Sequence, residues 1–550
     1  MEFDLVIADG TIVDGRGRPA FQGHVAVKDG RIVEVAEAES NGLDQWYAET
    51  VVEAEGLVVA PGFIDLHSHA DFILPLADHP ELLACFLEQG VTTVVAGNCG
   101  FSPAPAAVGT PYRGILADVI MFISAGRRLP DRWDTLDSFL ADLEKSGVVL
   151  NLAQLAGHGS MRATLFGPDY SYPGEAGLAP LERMIQESLD AGAFGLSFGL
   201  GYAPGMFVDG RELLRLADLV SRRDGLLTVH LKALSHISPA YGLSLGGEPH
   251  NLRALREMLD LAEKTGVRLQ ISHLIFVGRK TWPTCDRALE MIEAARERGV
   301  DVAFDSFPQT AGNTTIYVVY PDWFLKDIEK NFQRALARLR LKLEWMIGFW
   351  LVGFGLEDAQ LMWAGGTEYS DCEGRFFPDI GQRLGCSTTA AYLKISQASQ
   401  GRATCLFHKY SGDENNESVL RKVLTHPLNT FETDAIVHPE GLANPGAYGT
   451  FPRIIQRYVR ELGLMSLELA VSKMTWRSAQ RAGLKDRGAV APGFWADLTL
   501  FDYKEIKDNT TIYDSRERPA GIKHVFMNGV QVVRDGLALP GLKAGRVLRK

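Results

Sequence analysis

Eight short runs rich in β-branched residues, separated by helical patterns or longer segments, constrain this chain more than any other feature. They span 63–69, 92–98, 148–156, 193–198, 226–231, 267–273, 300–305 and 430–435, with helical patterns over 81–89, 136–145, 181–190, 213–222, 255–264 and 289–298. Strands that alternate with helices run parallel, because a crossover helix carries the chain back to the same end of the sheet. Eight such units predict an α/β fold of the (β/α)8 TIM-barrel type, about 250 residues before insertions. At 550 residues the chain is longer than that, so further units are expected around the barrel.

Both ends have a different texture. From Phe3 to about Pro61 short strands are joined by Asp14-Gly15 and Asp29-Gly30, dipeptides that favour tight turns between Val- and Ile-rich runs. The carboxyl end repeats this with a strand-like 496–501, a fold around Asn528-Gly529 and a turn at Asp535-Gly536. The two ends are expected to pair into one small β-sandwich, 1–61 with 486–550, around barrel segments 62–309 and 426–485. The remaining segment, 310–425, reads as an inserted lid or subdomain with a charged helix near 326–343. Its apolar stretch 345–355 is far shorter than the ~20 residues of a spanning helix, which points to a buried insert or a pocket lid.

Charge narrows the class of function. A net charge of −12 without a Lys/Arg stripe argues against a nucleic-acid partner, since phosphate binding needs clustered cations. Hydrophobic residues at 46% and charged residues at 23% are the balance of a soluble globular protein, so no membrane partner is expected. Met1-Glu2-Phe3-Asp4 is acidic where a secretory signal needs a basic region, and Cys85, Cys99, Cys285, Cys372, Cys386 and Cys405 are too irregular for a disulfide framework. A cytoplasmic protein with a small-molecule substrate follows, with assembly into a homo-oligomer left open.

Metal-binding residue types gather where the runs end. His67 and His69 stand two apart on a strand and therefore project to one side, as a pincer on a metal would. Cys99, His230, His273 and Asp434 end four other runs, and barrel active sites collect at that face. Imidazole, thiolate and carboxylate are zinc ligands. Each residue alone has an ordinary reading as a buried thiol, a core histidine or a helix cap; the coincidence at several strand ends favours a metal.

The chain resembles the N-acyl-D-amino-acid deacylase (D-aminoacylase) family of the amidohydrolase superfamily through nearly all of its length apart from the insert. The resemblance is carried by Val58-Val59-Ala60-Pro61-Gly62-Phe63-Ile64-Asp65-Leu66-His67-Ser68-His69, by Gln89-Gly90-Val91-Thr92-Thr93-Val94-Val95-Ala96-Gly97-Asn98-Cys99-Gly100, by Gly195-Leu196-Ser197-Phe198-Gly199-Leu200 with Tyr202, by Ile271-Ser272-His273 and by Tyr448-Gly449-Thr450-Phe451-Pro452-Arg453. It implies a metal-dependent amidohydrolase barrel that cleaves a C–N amide bond in a small molecule. It also implies a tight Zn2+ held by Cys99, His230 and His273, and a weaker second site of His67, His69 and Asp434 bridged by the Cys99 thiolate. Asp434 would then be the catalytic acid–base group, and His158, Ser197, Tyr202, Lys232 and Arg453 the candidate substrate contacts.

Three other readings compete. Gly195-Leu196-Ser197-Phe198-Gly199 fits the nucleophile-elbow pattern, but that serine must lead directly into a helix, whereas 200–210 reads as loop; Ser197 is expected to line the substrate pocket instead. A cyclic amide hydrolase resembling hydantoinases and dihydroorotases is the runner-up, because this chain departs from the deacylase pattern where substrate is held: Ile275 replaces a usual Lys, Asn444-Pro445-Gly446-Ala447 lacks a usual Arg, and Lys232 replaces a usual Arg. The third is an amidohydrolase-like binding protein without catalysis, against which all six candidate ligands are retained.

Overall fold

The structure, a computed structural model, describes residues 2–38, 46–116, 120–167, 172–241 and 247–550. Its amino-terminal strands are β1 (Glu2–Ile12), β2 (Phe21–Lys28), β3 (Arg31–Glu37), β4 (Tyr47–Glu53) and β5 (Val58–Pro61). The central strands are β6 (Phe63–Ser68), β7 (Val91–Ala96), β8 (Asn151–Gln154), β9 (Ala156–Gly157), β10 (Gly195–Gly199), β11 (Leu226–His230), β12 (Arg268–Ile271) and β13 (Val302–Ser306). There follow β14 (Ala311–Thr315), β15 (Ala359–Trp363) and β16 (Thr404–His408), then β17 (Asn429–Phe431). The carboxyl end adds β18 (Leu498–Phe501), β19 (Ile522–Met527), β20 (Val530–Arg534), β21 (Leu537–Ala538) and β22 (Val547–Leu548).

The two ends of the chain share a nine-stranded sheet, ordered β21-β20-β19-β18-β5-β1-β2-β3 with β4 also on β1. They join where β5 pairs antiparallel with β18, Val59 opposite Leu500, and Leu5, Ile7, Val25, Val59, Leu498 and Leu500 fill one apolar cluster. Asp29-Gly30, Asn528-Gly529 and Asp535-Gly536 all have positive φ at both positions, as two-residue hairpin turns require. Asp14-Gly15 does not make such a turn. It lies in a longer link between β1 and β2, where the buried Asp14 carboxylate accepts from the Arg16 amide and the Arg18 guanidinium.

The barrel contains one strand for each of the eight runs: β6, β7, β8 with β9, β10, β11, β12, β13 and β17, every registered pair parallel. β8 and β9 are halves of the third strand, parted at Leu155, whose amide donates to the Ala96 carbonyl. The ring closes where β17 lies against β6 and the Asp434 amide donates to the His67 carbonyl at 3.1 Å. Every residue of β6 and β7 is buried, the expected fate of parallel strands covered on both faces.

Two expectations change. The carboxyl-terminal segment does not stay wholly with the terminal sheet, because β22 leaves it to pair parallel with β8. β10 pairs with β9 and not with β8, so the lower half of the third strand has an open edge whose amides and carbonyls need partners, and the tail supplies them. In the insert, β14, β16 and β15 form an antiparallel sheet, and the expected charged helix is two helices, Ile328–Gln333 and Ala335–Val352, parted at Arg334, whose ψ is extended. The second helix has only Leu341 and Trp345 buried, and of the apolar stretch Trp345, Phe354 and Gly355 are buried; the residues between Trp345 and Phe354 are not the buried segment that their composition suggested.

Candidate metal centre

Cys99 follows β7 in a loop whose backbone is held from three directions. The Ser197 hydroxyl donates to the Gly97 carbonyl and accepts from the Gly100 amide, the Tyr202 hydroxyl donates to the Cys99 carbonyl at 2.7 Å, and Thr228 donates to the Asn98 side chain at 3.0 Å. Cys99 itself has φ 55°, a left-handed conformation that a non-glycine residue adopts only when its surroundings enforce it. His273 (φ 32°) and Asp434 (φ 43°) are bent in the same way just beyond β12 and β17. His67 lies on β6, His69 directly after it, and His230 ends β11.

These bends bring the six side chains together. Cys99 Sγ is 3.3 Å from His67 Nε2, 3.5 Å from His273 Nε2 and 3.8 Å from His230 Nδ1, and the last two nitrogens are 2.9 Å apart. Asp434 Oδ1 is 3.5 Å from His67 Nε2 and 3.4 Å from His69 Nε2. The ligand atoms of His67, His69, Cys99 and Asp434 lie within 4.8 Å of one another, as do those of Cys99, His230 and His273. Burial, with the neighbouring imidazoles adding to it, holds His67 and His230 well below the usual imidazole range, so their lone pairs are free. Burial first and the Asp434 charge second push the Cys99 thiol well above its usual range. A divalent cation reverses that, since a coordinating thiol is deprotonated outright. Soft sulfur, imidazole and one carboxylate converging without a cationic side chain among them fit a transition-metal ion.

Beneath the cluster is a ring of acids that sequence reasoning did not single out. His67 Nδ1 faces Glu432 Oε2 at 3.4 Å and Asp305 Oδ1 at 3.8 Å, all three fully buried. Asp65 accepts from the Thr433 amide and hydroxyl and from the His67 amide. Burial raises Asp65 to about 7 and Asp305 to about 6, and it holds Glu432 well above the usual carboxylate range, with the charges of Asp305, Asp434 and Asp65 adding to it. Their signal was present: Asp65 and Glu432 stand two positions before His67 and Asp434, and Asp305 ends its own run. Asn313 on β14 also escaped notice; its amide donates to the Asp434 carbonyl at 3.0 Å, tying the insert to the site.

The candidate substrate contacts fare differently. Ser197 is fully buried with its hydroxyl engaged on both sides, where it holds the Cys99 loop. Tyr202 does the same from the other side, its ring 4.9 Å from that of His230. His158 is fully buried against Phe198 with Nε2 bonded to Glu212 at 2.9 Å, while its Nδ1 has no hydrogen-bond partner among the described residues. Arg453 is tied to the Pro308 carbonyl, Asp508 and Glu417, which occupy the charge it was expected to offer. Lys232, half-buried two residues after His230, places Nζ 5.2 Å from the Tyr241 ring centroid.

Residues 50–328 and 418–533 match the amidohydrolase family. The chain belongs to that family. N-acyl-D-glutamate deacylase of Alcaligenes xylosoxydans xylosoxydans is 30% identical to it over 100% of this chain and 97% of the relative. The solved N-acyl-D-glutamate deacylase of Bordetella bronchiseptica, complexed with zinc and a phosphonate inhibitor, superposes with a TM-score of 0.79 at 28% identity, covering 100% of both chains. L-hydantoinase of Arthrobacter aurescens gives a TM-score of 0.56 at 16% identity over 100% of both chains, a likeness of fold alone. Within the family the amidohydrolase described here falls with the N-acyl-D-amino-acid deacylases, a metal-binding enzyme that hydrolyses carbon–nitrogen bonds other than peptide bonds.

Proposed function

We propose that this amidohydrolase is a zinc-dependent deacylase of N-acyl-D-amino acids, with Cys99, His230 and His273 holding the tight ion and His67, His69 and Asp434 a weaker one bridged by Cys99. The observation that carries the reading is the convergence of Cys99 Sγ with three imidazole nitrogens within 3.8 Å, beside the partly exposed Asp434 carboxylate. Zinc bound there supplies a water acidic enough to ionise near pH 7 and an electrophile for the amide carbonyl. Asp434, beside His67 and His69, takes the proton of the attacking water and passes it to the departing nitrogen, a base that becomes an acid. His67 and His69 fix that carboxylate from one side, while Asn313 and the His67 carbonyl fix its backbone.

Lys232 takes the substrate carboxylate. Of the cations offered by the sequence, Arg453 and Arg279 are paired with acids, whereas Lys232 has no carboxylate partner among the described residues. Ile275, at the position where the family pattern has a cation, is buried. A charge-assisted hydrogen bond of this kind is worth about 1.5–3 kcal/mol, so Lys232→Met should lower kcat/KM for N-acetyl-D-amino acids by roughly 10- to 100-fold and leave the corresponding carboxamides nearly unchanged. Purified enzyme should carry at least one zinc that Cys99→Ala removes. Folded protein without transition metal would overturn the metal assignment, and equal turnover of free acids in Lys232→Met would overturn the anchor. Faster turnover of cyclic imides than of either would favour the hydantoinase-like alternative.

A further inference from the structure

The insert helix Ala335–Val352 exposes a continuous apolar seam. Leu336, Leu339, Leu343, Met346 and Trp350 follow one another at intervals of three and four residues, with Ile347 beside them, and all six are between 49% and 82% exposed. The opposite face, Leu341 and Trp345, is buried. The seam is not a loose end: Trp345 Nε1 donates to the Val319 carbonyl at 2.7 Å, Trp323 Nε1 to Glu344 at 2.8 Å, and Lys280 Nζ stands 3.8 Å from the Trp350 ring centroid. At the far end, the Gly353 and Val352 carbonyls accept from the Arg279 and Lys280 amides, in the loop that follows His273. A rigidly anchored helix with this many large apolar side chains in water marks a surface that is covered in use.

We infer that this face is a dimer interface, covered by the same helix of a second copy of the chain lying antiparallel. The alternating three-and-four spacing is that of a two-helix seam, in which each side chain enters a hole on a facing helix; a lipid surface requires only a broad apolar face and no such register. The charge pattern selects the direction. Arg338, Arg340 and Lys342 lie in the amino-terminal half, and after Glu344 the helix carries no charged side chain. A parallel pair would stack these cations on their own copies. An antiparallel pair sets them beside the partner's carboxyl-terminal half, where the helix dipole is negative and the helix itself carries no charged side chain, Lys280 over Trp350 being the cation nearby. A two-fold axis through the middle of the seam makes one patch complementary to itself, as an isologous dimer requires. It also opposes Leu339 to the partner's Trp350 and Leu343 to the partner's Met346. An anionic bilayer, by contrast, meets a chain of net charge −12.

Sedimentation of the full-length enzyme should give a species of twice 60.4 kDa at tens of micromolar concentration, because a single helix pair falls at the small end of specific interfaces. Leu343→Glu and, separately, Trp350→Ser should sediment as folded monomers whose thermal midpoint falls only by the small stabilisation that the dimer and the Lys280 contact supply, since both side chains are exposed in the monomer. Leu339 and Trp350 are about 16 Å apart along one helix, so mild oxidation of Leu339→Cys mixed with Trp350→Cys should join the two proteins, whereas either alone should not cross-link beyond wild type. A wild type that stays monomeric, a dimer that survives both substitutions, or cross-linking of Leu339→Cys with itself would overturn the antiparallel seam. Monomers that sediment with phosphatidylglycerol vesicles, and lose that on Leu343→Glu, would replace the second copy with a lipid surface.

Discussion

Cys99, His273 and Asp434 show what single residues contribute here: each is a non-glycine side chain held at positive φ by neighbours that are not ligands. The chain thereby aims three donors inward from three different strand ends; hydroxyl and amide groups of Ser197, Tyr202 and Asn313 bond the backbone there, and the Asp305 carboxylate accepts from the His273 amide. Asp434→Asn keeps the size of the side chain but cannot shuttle a proton, so turnover should fall by roughly 10²- to 10⁴-fold with the tight metal retained. Ser197→Ala loses two hydrogen bonds to the Cys99 loop; it should weaken metal retention and lower stability by about 1–3 kcal/mol, while metal-saturated enzyme keeps most of its kcat. Metal titration alongside kcat separates the two, and a Ser197→Ala enzyme that is metal-replete yet inactive would restore the serine-nucleophile reading. That these six side chains would gather was legible because strand ends of a barrel face one way. The acid ring was not singled out: Glu432 and Asp65 read as ordinary strand residues until the fold puts Glu432 against His67 and Asp65 against Thr433.

At the level of elements, β-branched runs alternating with helical patterns disclosed the barrel, and turn dipeptides much of the terminal sheet, since Asn528-Gly529 or Asp29-Gly30 allows few other conformations. What they did not disclose was partner choice. Val547 and Leu548 carry no mark that sends them to β8; that follows from a gap left in the third strand by the short β9. Removing residues 546–550 should therefore uncover the β8 edge, lower the thermal midpoint and promote aggregation, with ligand geometry and zinc content intact in the remaining soluble fraction. Unchanged melting and solubility after this truncation would show that β22 is decorative. The Asp14-Gly15 dipeptide misled for a related reason: its Asp is consumed by Arg16 and Arg18, a local choice that composition cannot reveal.

Across the whole molecule, barrel and terminal sheet are locked by one buried polar network. Arg487 pairs with Asp497 and donates to the Asn528 side chain at 2.8 Å; Asn528 donates to Asn151 of β8 at 2.9 Å and to the Ala544 carbonyl at 2.8 Å. Arg487 and Asp497 are both buried, so Arg487→Met strands a carboxylate and should cost about 3–5 kcal/mol, read as a lower urea midpoint. Arg487→Met combined with Asp497→Asn should recover part of that loss, and kcat of the folded fraction should not move. Equal midpoints for wild type and the single variant would mean that water, not Arg487, satisfies Asp497.

The pairing of β5 with β18 and of β8 with β22 has a further consequence for how such a chain comes into being. Synthesis is vectorial, and domains ordinarily fold as they emerge, the amino-terminal part first. Here the earliest strands await partners that the ribosome makes last: β5 stays half-paired until residue 498 has been added, and the lower edge of β8 until residue 547. A nascent chain therefore carries two unpaired edges for almost its whole time on the ribosome, and premature termination releases a product whose third barrel strand can be completed only by another molecule.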